Sequence, residues 1–321
     1  MKSPHKFLFL SLMILSTCMV LSSSNWFMTW IGLEINMLGF IPLMFTNGTT
    51  SESETAVKYL VPQSLGSTIF ITSAAASYYF DTIQILMPIA MFMKLGAAPF
   101  HFWFAPVMAG LSLQPAFILL TWQKIAPIFT INSMDQMLSL KTMAVAFISS
   151  LWGSVGGLNQ TDIRMLLTYS SITHTGWMLA SVSANAVTLM IYVVTYMMIN
   201  LSLYICLVKN LTKSHKQLLT TTNPMNSLPL AIMILSLGGL PPLAGFIMKL
   251  LVLYHTKASL FIIMGLILGT LISLLFYLSL TLSPLMEFNK TQLPLLDKTP
   301  KHLITLLILQ TLPLSLMLLL F

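Results

Sequence analysis

Charge is what this sequence has least of. Asp, Glu, Lys and Arg make up 7% of its 321 residues, against about 25% in a soluble domain. So few charged groups cannot clothe a water-facing surface. With 56% hydrophobic residues and a mean hydropathy of +0.87, the chain reads as an all-α polytopic membrane protein. Acidic residues number eight. Cysteine is almost missing: Cys18 and Cys206 lie far apart in apolar runs, which excludes a disulfide framework, an iron–sulfur ligand set and a thiolate metal site. No glycine loop that could cradle phosphate opens a helix, and no histidine pair has haem spacing. The sequence therefore offers no redox centre and no metal or cofactor site of its own. Its net charge of +7 is no nucleic-acid signal in a membrane protein; what matters is how the basic residues are distributed between the links. The 24 methionines fit an organellar translation table. The basic start, Lys2 to Lys6, precedes an apolar run with no small-residue cleavage site after it, so a first span is expected there rather than a removed signal.

A span needs about 20 mostly apolar residues. That ruler predicts about 11 spans, at 6–23, 25–45, 56–80, 83–104, 112–132, 142–158, 164–182, 186–208, 227–253, 258–282 and 303–320. With this count ten basic link residues fall on the N-terminal side, and only Lys141 and Lys257 on the other. The positive-inside rule then places the N-terminus in the cytoplasm or, in a mitochondrion, the matrix. The fourth and ninth spans read as broken. Lys94 leads into LGAAPFHFWFAP, and Ser236–Phe246 reads SLGGLPPLAGF. Proline and glycine at membrane depth free backbone groups that protein or water must satisfy, and matched breaks in two halves point to inverted repeats. We expect one transmembrane domain over 1–321, with five-helix repeats at 6–132 and 142–282 and an extra helix at 303–320.

The ionisable residues inside spans carry the functional signal. Each costs roughly 2.5–3.5 kcal/mol at the bilayer centre, and such residues usually mark ion or proton paths. They are Glu34, Lys94, Lys124 and Lys249, with His101 and His174 as possible additions. A lone carboxylate needs an opposite charge to stay ionised in such a place, and Lys94 is the expected partner of Glu34. His174 lies in a polar stripe with Tyr169, Ser170, Ser171 and Thr173, where it either relays protons between Lys124 and Lys249 or hydrogen-bonds across helices. His101, beside Phe100, Phe102 and Trp103, is equally an interfacial residue. Glu52 and Glu54 are assigned to a loop, Trp and Tyr near span ends to interfacial anchoring, and Gly153–Gly157 to close helix packing.

Five segments then carry a resemblance: WIGLEINMLGFIPL at 30–43, KLGAAPFHFW at 94–103, LLTWQKIAP at 119–127, NQTDIRMLLTYSSITHTGWM at 159–178 and GGLPPLAGFIMK at 238–249. In order and content they resemble the subunit 2 family of mitochondrial NADH dehydrogenase (respiratory complex I), itself similar to Mrp-type cation/proton antiporter subunits. The resemblance implies an antiporter-like fold and a proton-translocating role in the membrane arm, within the mitochondrial inner membrane. Its partners would be other membrane-arm subunits, including antiporter-like paralogues, and lipids. It implies Glu34 paired with the broken-helix Lys94, Lys124 as the central lysine, Lys249 as the terminal one and His174 on the axis between them. NADH, FMN, iron–sulfur clusters and ubiquinone would belong to other subunits. The animal form of the family lacks three N-terminal helices of the fourteen-helix paralogues, which fits eleven spans. A free-standing Mrp-type antiporter subunit would use the same buried charges, and an inert scaffold would need none of them.

Overall fold

In a computed structural model the described residues are 4–46, 48–77, 79, 84–134, 139–210, 224–241, 243–256 and 259–290. Every extended element among them is a helix. The expected helix at 303–320 lies outside them. The chain divides into two compact units, residues 1–149 and 150–321. The boundary falls inside one helix, slightly past the 132–142 link expected between repeats.

The first unit begins with α1 (Pro4–Ser22) and α2 (Trp26–Met44), a tight hairpin. Two glycines one heptad apart on α2 permit the approach. A Cβ on Gly32 would lie 2.6 Å from Val20 Cγ2, and one on Gly39 would lie 3.1 Å from Met13 Cγ. Next comes α3 (Thr50–Ala76), whose start is tied to the preceding link by Glu52. This carboxylate accepts hydrogen bonds from the Thr46 hydroxyl and from the Thr46 and Gly48 backbone N–H groups, at 2.5, 3.1 and 2.9 Å. It lies in the first turn of α3, where the helix dipole favours negative charge, and it is 4% exposed. The expectation that Glu52 lies in a loop is thus corrected: it belongs to the first turn of α3.

The fourth expected span is broken into α4 (Leu86–Leu95) and α5 (Phe104–Gly110). The fifth is broken too, which was not foreseen. It runs as α6 (Leu113–Leu120), one 3-10 turn at Trp122–Lys124, and α7 (Ile125–Ser133). Pro127 explains the break: it has no N–H for the Gln123 carbonyl four residues back, and its ring would strike that carbonyl in a continuous helix.

The unit boundary lies in α8 (Ser139–Gly157). The second unit continues with α9 (Ile163–Val182), α10 (Ala186–Asn210), α11 (Pro224–Gly238), α12 (Ala244–His255) and α13 (Leu260–Lys290). The ninth expected span is therefore split between α11 and α12. The end of α8 presses closely on α9, since a Cβ on Gly153 would meet the Thr173 nitrogen at 2.8 Å. The glycine cluster serves packing, as its small residues imply.

Among the described residues four helices are long and apolar enough to cross a membrane: His5–Ser22, Trp26–Met44, Ala186–Val208 and Leu260–Leu282. The rest are cut short by breaks or carry many hydroxyl and amide groups. The outer surface is apolar. On α13 Phe261, Met264, Leu268, Leu271 and Leu275 all stay exposed, a helical stripe that a water-soluble fold would bury. Polar residues go inward instead. Buried hydroxyls such as Ser16, Ser67, Ser171 and Ser202 donate to the carbonyl three residues back, so they need no second partner in an apolar interior.

Candidate functional site

The broken helices place the lysines, and side-chain donors reach carbonyls at their ends. α4 stops at Gly96, in the left-handed region with φ +66°. The Gly96 N–H bonds the Met93 carbonyl and the Ala97 N–H bonds that of Phe92, at 3.2 and 3.1 Å, the paired bonds of a Schellman end. Two side chains add further donors. Trp103 Nε1 donates to the Met93 carbonyl and Gln63 Nε2 to that of Lys94, both at 3.0 Å. Neutral donors thus tie off the helix end. The Lys94 stem passes over α3 at Gly66, where a Cβ would lie 3.0 Å from its Cγ.

α11 ends in the same way. Gly239, at φ +82°, bonds the Ser236 carbonyl at 3.1 Å, and the Leu240 N–H reaches that of Leu235 at 3.4 Å. Here, however, the last two carbonyls are taken by a lysine. Lys249 Nζ donates to the Gly238 carbonyl at 2.9 Å and the Leu237 carbonyl at 3.4 Å. An ammonium at a helix C-terminus is where the dipole favours a cation. α12 itself lies directly against α11: a Cβ on Gly245 would sit 1.6 Å from the Ser236 oxygen.

Lys94 and Lys124 are 5% and 3% exposed, and both line one cavity of about 20 Å³ in the first unit. About 10–15 Å³ admits a water molecule. Asn36, Tyr59, Gln63 and Gln123 contribute the other polar groups of its wall. Lys124 ends the 3-10 turn, and its Nζ stands 5.7 Å from the centre of the Phe104 ring, a cation–π distance. Beside it Gln123 Nε2 donates to Asn36 Oδ1 at 3.1 Å and to Met13 Sδ at 3.3 Å, while Tyr59 donates to Gln123 Oε1 at 3.4 Å.

Glu34 is half-buried on α2 and does not line that cavity. Among the described residues Glu34 and Lys94 make no ion pair within 4.0 Å. The direct ion pair that does form there, Lys58 with Glu54 at 3.3 Å, is an exposed pair along α3 of the kind worth little to stability.

In the second unit His174 is 1% exposed. Its Nδ1 lies 2.9 Å from the Tyr192 hydroxyl, and its ring packs 5.0 Å from that of Tyr196. Asn200 Nδ2 donates to the Tyr196 backbone carbonyl at 2.9 Å. His174 comes from α9, the two tyrosines from α10, and both helices pack against α12, which carries Lys249. His101 is 4% exposed and stacks on Phe102 at 4.5 Å, so it is no surface anchor.

Sequence reasoning missed Tyr59, Asn36, Gln63, Gln123, Tyr192 and Tyr196. The anchoring role expected for tyrosine near span ends is corrected at Tyr59 and Tyr277, which with Tyr192 and Tyr196 are among the largest fully buried side chains. The amides could have been flagged: three Asn or Gln side chains inside apolar runs need partners as lysines do.

Comparison with known proteins gives three further findings. The family model described as NADH:quinone oxidoreductase/Mrp antiporter, TM, matches residues 72–275, a stretch holding Lys94, Lys124, His174 and Lys249. NADH-ubiquinone oxidoreductase chain 2 of Paradoxurus hermaphroditus is 38% identical over 298 residues, covering 88% of this chain and 86% of that one. The chain 2 of Anopheles gambiae is 39% identical over 297 residues with the same coverage. A chain in the structure of respiratory complex I from Thermus thermophilus with bound aureothin superposes with a TM-score of 0.84 at 22% identity, over 98% of this chain and 78% of that chain. It shares the fold.

Proposed function

The chain belongs to the NADH:quinone oxidoreductase/Mrp antiporter family, and from that premise we propose that it is a proton-translocating membrane-arm subunit of NADH:ubiquinone oxidoreductase. It would work in the mitochondrial inner membrane, with its N-terminus in the matrix, beside other membrane-arm subunits including antiporter-like paralogues. NADH oxidation and quinone reduction would take place on the FMN, iron–sulfur clusters and quinone of other subunits. The chain's own part is to hold and move protons. The matched glycine ends of α4 and α11 support the two inverted five-helix repeats and the eleven spans read from the sequence.

The observation that carries this reading is the shared cavity. Two lysines buried to 5% exposure or less face the same polar space, and a stable apolar fold has no use for two such charges together. When redox work elsewhere moves the Glu34 carboxylate away from Lys94, the ammonium loses its nearest counter-charge and yields a proton. The proton passes to Lys124 and then, with His174 assisting, to Lys249. Moving one charge against the membrane potential takes about 2.3 kcal/mol per 100 mV, within reach of a few changes in charge pairing.

Lys124→Met and Glu34→Gln in the assembled complex test this. Protons pumped per NADH should fall in both while NADH oxidation by an artificial acceptor stays intact. Wild-type pumping in Lys124→Met would sink the reading. Transport of Na⁺ or K⁺ by the isolated chain would favour the antiporter alternative.

A further inference from the structure

We infer that Gln123 is a positioning residue for proton transfer between Lys94 and Lys124, acting through a water molecule that it orients in the cavity they share. The inference rests on the proton-carrying reading above and adds a residue to it.

The cavity has room for one water, and its wall is polar: two lysines, Asn36, Tyr59, Gln63 and Gln123. Size and polarity together are the conditions under which a buried water is held rather than a dry void, and such a water makes about three hydrogen bonds. Gln123 is the wall residue whose orientation is dictated from two other helices. Asn36 on α2 takes its amide proton and Tyr59 on α3 donates to its amide oxygen. The amide is therefore unable to flip without breaking both contacts. Tyr59 is itself clamped between Phe40 and Trp103, with ring centres at 5.1 and 5.8 Å. Gln123 is also adjacent in the chain to Lys124, within the same 3-10 turn. A fixed amide beside a water fixes where its protons point.

The transfer balances without electrons. The Lys94 ammonium breaks one N–H bond and gives that proton to the water oxygen. The water breaks one O–H bond and gives its proton to the neutral Lys124 amine, where a new N–H bond forms. Gln123 gains and loses nothing; it sets the water's orientation. Misplacing such a relay by about 1 Å can cost on the order of 10²-fold in rate.

The test compares Gln123→Met, of similar length and without polar atoms, with Gln123→Glu, which keeps an acceptor for Tyr59. Both are measured in the assembled complex beside Lys124→Met. Gln123→Met should slow proton-coupled turnover by roughly 10- to 100-fold and raise its solvent isotope effect, because proton transfer becomes limiting. NADH oxidation by an artificial acceptor should not change. Gln123→Glu should stay slow, because its carboxylate keeps the acceptor for Tyr59 but holds the protons of the two lysines that line the same cavity; a wild-type rate in Gln123→Glu would count against the inference. Loss of pumping in Lys124→Met with wild-type rate and isotope effect in Gln123→Met overturns this inference alone. Wild-type pumping in both overturns the reading of the lysines as well. If Gln123→Met does not assemble, a structure of the wild-type complex at a resolution that shows water decides: density within hydrogen-bond distance of Gln123 supports the inference, and a dry cavity overturns it.

Discussion

Replacing Gly239 by alanine separates two costs that the structure places at one position. The backbone there is at φ +82°, where a residue with a side chain loses about 1–2 kcal/mol. The added Cβ would also lie 2.9 Å from Lys249 Nζ and 3.2 Å from its Cδ. Those atoms are the mobile end of a side chain, so the lysine swings aside and gives up its bonds to the Gly238 and Leu237 carbonyls. A hydrogen bond from a charged donor contributes about 1.5–3 kcal/mol, which brings the expected total to roughly 3–5 kcal/mol. Gly96→Ala is the control: its φ is +66°, but the nearest atoms, on Phe104 and Trp103, are 3.4 Å away. That distance is ordinary contact, so only the backbone cost of about 1–2 kcal/mol remains. At about 2 °C per kcal/mol for a chain of this size, denaturation midpoints of the two variants in lipid nanodiscs should differ by roughly 3–6 °C. In a Lys249→Met background Gly239→Ala should cost no more than Gly96→Ala. The reasoning fails if Gly239→Ala is equally harmful with lysine or methionine at position 249, or no worse than Gly96→Ala.

Two further outcomes are expected. Glu52→Ala should destabilise by about 1.5–3 kcal/mol, since it strips a charged acceptor from three donors around the α2–α3 link; protons pumped per NADH in the folded fraction should be unchanged, and a pumping defect without a stability loss would contradict the structural role. Tyr192→Phe removes the hydroxyl at 2.9 Å from His174 Nδ1 and should cost about 1–3 kcal/mol; the imidazole NMR shifts of His174 should change with it, and unaltered shifts would mean that the contact does not form.

The helices were readable because apolar runs of known length have one outcome in a membrane, and the breaks at Gly96 and Gly239 because glycine beside proline has few others. The break before Pro127 is equally present in the letters IAP, but no glycine marks it. The lysines announced themselves by their rarity. What surrounds them did not. Tyr59 and Tyr192 have the composition of interfacial anchors, and only the packing of α2, α3 and α10 turns them inward. Glu52 looks like a loop residue in sequence because the link before it is itself short and polar. The same limit applies to Glu34 and Lys94: their types said that they should interact, whereas the separation between them depends on how α2 and α4 are seated.

The divided helices also bear on how the protein is made. At 1.5 Å per residue, the ten residues of α4 extend about 15 Å and the twelve of α12 about 18 Å, short of the roughly 30 Å of a bilayer's hydrocarbon. Neither can be released into lipid as an independent segment, least of all with a lysine aboard. Each must wait in the insertion machinery until its continuation and its neighbours arrive. The pieces that carry Lys94 and Lys249 are thus too short to span alone and depend on their continuations to settle in lipid.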